Sequence, residues 1–215
     1  LFATLALWHP DRLPKFTYQG KTTPSTMGEL RPLIEQIVTK VNFDEFYTNF
    51  IEVNETHAHH RKTTFKEISS RDRFSATLKK LGYPDTSETH DIAEQLSLRH
   101  MALLASVVEI PKDYAGFLAQ LGEHYRLALV SNFDHYPTAQ AILKRDGIHP
   151  HFDEIFISDS HGWRKPHRRI FDDAIAALEL DVSEVLFVGD SWDDDVVGAT
   201  NCGLDIAWVN AKKPP

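Results

Sequence analysis

The sequence contains a single cysteine, and none of its apolar runs approaches the length of a membrane-spanning helix. Cys202 cannot form an internal disulfide, and the glycine and strand-like run beside it indicate a small buried side chain rather than a reactive thiol. A helix that spans a bilayer needs roughly 20 apolar residues. The opening LFATLALWHP lacks the basic flank and small-residue cleavage site of a signal peptide. We therefore expect a soluble, cytoplasmic protein without redox chemistry and without a membrane partner.

Positive charge is also scarce in this sequence. Lysine and arginine number 23 against 31 aspartates and glutamates, which gives a formal net charge of -8 and a pI near 5.8. Such a field repels nucleic-acid phosphates and anionic lipids at long range, so we expect a small-molecule substrate and no nucleic acid. With 215 residues, 42% of them hydrophobic, the chain is long enough to bury a sizeable core.

The second half of the chain alternates between apolar runs and helical patterns. Runs that predict strands lie at 126–131, 154–158, 184–189 and 204–210. Near-continuous apolar strands joined by helices are typical of a parallel sheet covered on both faces, with ligands beyond the carboxyl ends of the strands. The fold class predicted here is α/β, a doubly wound, Rossmann-like parallel sheet.

Residues 26 to about 106 show a different pattern, a series of predicted helices, one of which covers 64–82, and no strand is convincing there. The proline- and glycine-containing segment 9–25 indicates a linker or flap. We therefore predict an α/β core formed by 1–12 and 107–215, into which an all-helical subdomain, 13–106, is inserted.

Two polar features follow the predicted strands. Ser131 and Asn132 close the run RLALVS, where a hydroxyl and backbone amides can hold an oxyanion; the alternative is a serine that caps the next turn. Lys165 precedes a proline in the loop before a helix, and a lone lysine in a loop is most often solvated. Each feature is weak by itself.

A third feature is the stretch VLFVGDSWDDDVVGA, with four aspartates within six positions. Two carboxylates about 4 Å apart repel by roughly 4 kcal/mol at an effective dielectric constant near 20. A helix N-terminus stabilises each acid by only about 0.3–1 kcal/mol. A lysine or a divalent cation is the natural compensation, and Mg²⁺ suits oxygen ligands. We expect Asp190 and Asp195 to face inward, and Asp193 and Asp194 to point to solvent.

The order of these features resembles the second, third and fourth motifs of the haloacid dehalogenase (HAD) superfamily. The resemblance is close over residues 126–203, and the helical insert is similar to the helical cap of many members. In that family the first strand ends in Asp-x-Asp-x-Thr, whose first aspartate is the nucleophile. Residues Leu1 to Leu5 fit the rest of that motif if the nucleophile stands immediately before Leu1, so the first strand is expected before residue 1.

The resemblance implies roles for these residues in a Mg²⁺-dependent phosphohydrolase that forms an aspartyl phosphate. Ser131 and Asn132 would hold the transferred oxygens, Lys165 would balance charge, and Asp195 would orient Lys165 or metal-bound water. The metal ligands would be Asp190, the missing nucleophile and the backbone carbonyl of Phe2. Thr4, Arg12 and Asp134 are the predicted substrate contacts.

Phe2 keeps a second interpretation open. In phosphatases of the family an aspartate at this position is the general acid and base, whereas phenylalanine transfers no proton. The resemblance implies that 2-haloacid dehalogenases also have an aromatic residue at this position, and the halide that they release needs no proton. Those enzymes, however, have a neutral residue at the position of Asp190. A 2-haloacid dehalogenase and a catalytically weak binding or regulatory protein are therefore the alternatives. Asp134 and His135 are candidates for the missing acid, although both are better explained as capping the next helix.

Overall fold

The computed structural model describes Leu1 and residues 3–210. The chain forms two compact units. The first comprises Leu1–Trp8, Phe65–Glu67 and Glu109–Pro215, and the second comprises His9–Thr64 and Ile68–Val108. The assignment of 1–12 and 107–215 to a core and of 13–106 to a cap stays a prediction.

The strands are numbered in chain order. They are β1 (Leu7–Trp8), β2 (Lys15–Tyr18), β3 (Lys21–Pro24), β4 (Val108–Glu109), β5 (Ala128–Ser131), β6 (Glu154–Ile157), β7 (Leu186–Gly189) and β8 (Asp205–Trp208). The α-helices are α1 (Met27–Ile37), α2 (Phe43–Thr64), α3 (Ser70–Lys80), α4 (Ser87–Ser106), α5 (Tyr114–Gly122), α6 (Tyr136–Arg145), α7 (Ser158–His161), α8 (Arg168–Leu178) and α9 (Val197–Asn201). No helix among the described residues is both long and apolar enough to cross a membrane.

The second unit is built from helices α1 to α4, as the sequence predicts for residues 26–106. Side-chain caps define two helix starts: Ser69 accepts a hydrogen bond from the Asp72 amide, and Thr86 accepts one from the Thr89 amide. One predicted helical stretch is not helical, since 65–69 separates α2 from α3. The unit buries one apolar core, formed by Phe16, Met27, Leu30, Ile34, Val38, Phe43, Phe46, Phe50, Phe74, Leu78, Ala93 and Leu96.

The segment expected to be a linker or flap contains an antiparallel hairpin of β2 and β3. The turn passes through Gln19 and Gly20, both with positive φ. Phe16 anchors the hairpin, because its buried ring packs edge-on against Phe43 at 5.8 Å and against Tyr47 at 5.2 Å. The hairpin forms because one strand face is buried by aromatic packing, which a search for proline and glycine does not detect.

The first unit contains the predicted α/β pattern. Strands β5 and β6 pair in parallel, and so do β7 and β8, each within two residues of the predicted bounds. Helix α8 buries Ile170, Phe171 and Ile175 in a cluster that includes Cys202. Cys202 is buried and free, and burial raises the pKa of its thiol. The α/β fold class is confirmed.

The two parallel pairs are separate sheets within the described residues, and β5 does not hydrogen-bond to β7. Leu186 and Val188 of β7 are correspondingly 61% and 50% exposed. Apolar side chains of a strand are normally covered when the sheet is packed on both faces. Leu186 and Val188 are therefore side chains typical of an interior strand, but they are as exposed as those of a surface strand.

Leu96 and Leu98 of helix α4 form a matched pair for testing the core of the second unit. Leu96 is fully buried and Leu98 is 48% exposed. We expect Leu96→Ala to lower the free energy of unfolding by about 2–5 kcal/mol, because it leaves a cavity. Leu98→Ala should change it by less than about 1 kcal/mol. Urea unfolding of both variants measures the difference, and equal losses would contradict the assigned core.

Candidate active site

The loop after β5 and the loop before α8 are joined by one side chain. Asn132 donates from Nδ2 to the Lys165 carbonyl at 2.9 Å, and its Oδ1 accepts from the Lys165 amide at 2.8 Å. Ser131, the last residue of β5, is 2% exposed. Three predicted site residues are thus adjacent although they come from separate parts of the chain.

Lys165 is buried, contrary to the usual behaviour of a lysine in a loop. Its side chain is 8% exposed, and Nζ lies 2.6 Å from Oδ1 of Asp195. Nζ also donates to the Val130 carbonyl at 2.9 Å. A buried ammonium group needs partners of this kind to compensate for its lost hydration. The solvated alternative for Lys165 is therefore not what the structure adopts.

Asp195 is held against the backbone at the end of β7. Its Oδ2 accepts hydrogen bonds from the amides of Asp190 and Ser191, both at 3.0 Å. Gly189 permits this approach, since a Cβ there would lie 2.5 Å from the Asp195 carboxylate. Two amides and the ammonium group of Lys165 thus compensate the charge of Asp195.

Asp190 follows Gly189 directly and contacts the start of the chain. Its Oδ1 accepts a hydrogen bond from Thr4 Oγ1 at 2.7 Å, and its carbonyl accepts one from Trp208 Nε1 at 2.9 Å. Sequence analysis did not identify Trp208, because an exposed tryptophan at the end of a strand carries no catalytic signal. The contact with Thr4 brings the first residues of the chain to the acidic stretch.

The amino group of Leu1 lies in the same place. Burial and the nearby charge of Lys165 lower its pKa to about 5, against the opposing charges of Asp195 and Asp190. Three charged side chains therefore act on the Leu1 nitrogen.

Asp194 does not point to solvent, contrary to the expectation from the sequence. Residues 192–196 form a π-helical turn, in which the Val196 amide bonds to the Ser191 carbonyl at 3.1 Å. The wider turn leaves Asp193 exposed but places Asp194 in a half-buried position, bonded to the Asn132 side chain. Burial raises the pKa of the Asp194 carboxyl, and Lys165 opposes this shift. The pattern of acids alone contains no signal for a π turn.

The remaining candidates have separate locations. His135 is buried, and its side chain caps α6 by accepting a hydrogen bond from the Thr138 amide, as expected if it serves as a helix cap. Asp134 is half-buried in the loop before α6. Arg12 ends an exposed 3₁₀ turn of the second unit, and its predicted substrate contact stays a prediction. Phe2 lies outside the described residues.

A magnesium site cannot be completed by the described side chains alone. No three His, Cys, Asp or Glu side chains lie close enough to hold a metal ion across Leu1 and residues 3–210. Asp190 offers one carboxylate, a ligand of the kind that Mg²⁺ prefers. The residues present fit such a site if the chain before Leu1 supplies a further oxygen ligand.

The family model of haloacid dehalogenase-like hydrolases matches residues 24–203. The chain belongs to this family of hydrolases. It is 30% identical over 113 residues to a glyceraldehyde 3-phosphate phosphatase of Methanothermobacter thermautotrophicus, a stretch that covers 53% of this chain and 50% of that protein. The chain thus spans about half the length of this curated relative.

Solved structures of the HAD family share the fold. The 2-haloacid dehalogenase of Pseudomonas syringae has a TM-score of 0.68 at 20% identity, covering 89% of this chain and 80% of that one. The putative HAD-hydrolase YfnB of Bacillus subtilis, solved with bound magnesium, has a TM-score of 0.57 at 22% identity, covering 88% and 83%. At these identities the likeness establishes the fold and not the substrate.

The buried pair of this HAD hydrolase can be tested by removing one charge. Asp195→Asn should lower the free energy of unfolding by about 3–5 kcal/mol, because it leaves the Lys165 ammonium buried without its counter-charge. Asp193→Asn, two residues away and exposed, is the control and should change it by less than about 0.5 kcal/mol. Urea unfolding at neutral pH measures both, and a stable Asp195→Asn variant would contradict this account of the pair.

Proposed function

We propose that the complete protein is a Mg²⁺-dependent phosphohydrolase that acts on a small phosphorylated metabolite through an aspartyl phosphate. The nucleophile is an aspartate that directly precedes Leu1. Family membership and a phosphatase among the relatives support the hydrolase class. The observation that carries the finer proposal is the buried Lys165–Asp195 pair at the end of β7, next to Asp190, whose carboxylate accepts a hydrogen bond from Thr4.

The environment of Leu1 supports a preceding residue with a carboxylate. The positive charge of Lys165 acts at the Leu1 nitrogen. A carboxylate one residue earlier would stand beside the Lys165 ammonium group. Thr4, three residues further along, already contacts Asp190.

The unpaired strands support an apolar strand before that aspartate. Strands β5 and β7 both end at the site, and within the described residues neither pairs with the other. A parallel strand between them would complete one sheet and place its side chains beside the exposed Leu186 and Val188. Burial of each such side chain contributes about 1.5–3 kcal/mol. Sequencing the amino terminus of the natural protein tests this, and a mature chain that begins at Leu1 would contradict it.

Magnesium would be held by Asp190, by the nucleophilic aspartate and by the backbone carbonyl of Phe2. When bound, the ion supplies positive charge that reduces the repulsion between an anionic phosphate and these carboxylates. A relative of the same fold has been solved with magnesium, which supports this choice of metal.

The chain's own residues then divide the work of phosphoryl transfer. The aspartate forms a bond to phosphorus as the bond to the leaving oxygen breaks, and water later cleaves the aspartyl phosphate to release phosphate and restore the carboxylate. The Ser131 hydroxyl and the Asn132 amide hold the transferred oxygens. Lys165, oriented by Asp195 at 2.6 Å, balances the negative charge of nucleophile and phosphoryl group.

Phe2 leaves the leaving group without a proton donor at the usual position. This substitution favours 2-haloacid dehalogenation as the second candidate, because a departing halide needs no proton. The retained Asp190, with its hydrogen bond from Thr4, favours the phosphohydrolase. A binding or regulatory role is the third candidate, expected if neither reaction occurs.

Metal removal separates the candidates. We expect the complete protein, with its residues before Leu1, to hydrolyse p-nitrophenyl phosphate, to lose this activity on chelation and to regain it with Mg²⁺. Asp190→Asn should lower kcat/KM by at least about 100-fold, and Asp193→Asn should leave it unchanged. Halide release from 2-chloropropionate that persists without metal would instead establish the dehalogenase.

Leaving groups test the role of Phe2. Losing a general acid typically costs about 10²–10⁴ in rate when the leaving group needs a proton. We therefore expect p-nitrophenyl phosphate, whose phenolate leaves readily, to be turned over much faster than alkyl phosphates. Phe2→Asp should raise the rate with alkyl phosphates selectively. Equal wild-type rates on both classes would contradict this account of Phe2.

A further inference from the structure

The three residues between the helical segments of the insert belong structurally to the first unit. Segment 65–67 lies beside the loop that precedes Lys165: the Glu67 amide donates to the Gly162 carbonyl at 3.0 Å, and the Arg164 amide donates to the Phe65 carbonyl at 2.9 Å. Lys66 and Trp163 form an antiparallel bridge between these two stretches. These backbone contacts place Glu67 beside the loop that contains Lys165.

The carboxylate of Glu67 is buried, with only 2% of its side chain exposed. Its Oε2 lies 2.5 Å from Nη1 of Arg164 and also accepts a hydrogen bond from the Ser158 hydroxyl. Ser158 is fully buried, and its Oγ in turn accepts from the Phe133 amide at 2.9 Å. One oxygen of Glu67 therefore contacts the loop before α8 directly and reaches the loop after β5 through Ser158, the first residue of α7.

Both loops carry residues assigned to the proposed chemistry. Phe133 directly follows Asn132, and Arg164 directly precedes Lys165. Asn132 and Lys165 hold each other through two hydrogen bonds, so a shift of either loop moves both residues. Neutralising Glu67 would release Arg164, whose charge already acts on Asp194. A guanidinium group that turns toward these acids would compete with Lys165 for them.

We propose that Glu67 is a positioning residue, which holds Asn132 and Lys165 in their reactive arrangement through Ser158 and Arg164. The proposal rests on the phosphohydrolase function given above. Glu67 does not touch the reacting atoms in this account. Its buried carboxylate holds the loop before α8 through Arg164 and the loop after β5 through Ser158.

The kinetic test compares Glu67→Gln with the wild type in the complete protein. Glutamine keeps the size and the acceptor for Ser158 but removes the charge that holds Arg164. We expect kcat with p-nitrophenyl phosphate to fall by about 10- to 100-fold while KM changes by less than about threefold, because misplacement affects the transition state more than substrate binding. Asp172→Asn, which breaks an exposed ion pair with Arg168 in the same unit, is the control and should leave both constants unchanged.

A double variant tests whether Glu67 acts through Arg164. Glu67→Gln combined with Arg164→Gln should be no slower than the slower single variant, since both remove the same interaction. Rates are normalised to the folded fraction from thermal unfolding of each variant. Unchanged kcat, a loss explained entirely by the unfolded fraction, or additive losses in the double variant would each overturn the proposal.

Crystal structures of the wild type and Glu67→Gln decide the proposal independently of turnover. In the variant we expect Asn132 and Lys165 to lose their two mutual hydrogen bonds, and Nζ of Lys165 to move beyond 4.0 Å from Asp195. An unchanged arrangement would overturn the role of Glu67 even if the wild type is an active phosphatase. A wild type without phosphatase activity would refute the proposed function, and the structures would still show whether Glu67 positions the two loops.

Discussion

The arrangement of the first unit depends on the buried ion pair between Lys165 and Asp195. Burial of two charges costs several kcal/mol per ion unless further hydrogen bonds satisfy them. Here the Val130 carbonyl accepts from Lys165, and two backbone amides donate to Asp195. Through these contacts the pair holds together the end of β5, the loop before α8 and the end of β7. The absence of a side chain at Gly189 is what permits the approach.

Local pattern predicted most of the first unit because its elements follow from local chemistry. The strands ending at Ser131 and Gly189 are apolar runs bounded by polar residues, and their observed ends coincide with the predicted ones. Segment 65–69 was predicted to be helical and is not, because Glu67 bonds to residues more than 90 positions away. The inward position of Asp194 was missed because it depends on a π turn. Local periodicity contains neither kind of information.

The two acids Asp190 and Asp195 and the phenylalanine Phe2 constrain the proposed chemistry in different ways. Phe2 occupies the position of the proton donor in phosphatases that the sequence resembles, so the proposed function would be restricted to leaving groups that depart easily. Asp190 and Asp195 are held by Thr4 and Lys165, so both have structural contacts in addition to the chemical roles proposed for them. Replacing either acid would leave a partner unsatisfied.

Charge balance gives the strongest physical reason for a divalent cation. Arg164 is paired with Glu67 and Lys165 with Asp195, so the charges of these two cations are already matched by buried carboxylates. Asp190 adds a carboxylate at the same end of β7, the proposed nucleophile adds a second, and a phosphate adds further negative charge. At an effective dielectric constant near 20, each such pair about 4 Å apart repels by roughly 4 kcal/mol. Hydrogen bonds of the usual strength, about 1 kcal/mol each, do not offset that sum, whereas the two positive charges of a bound divalent cation would.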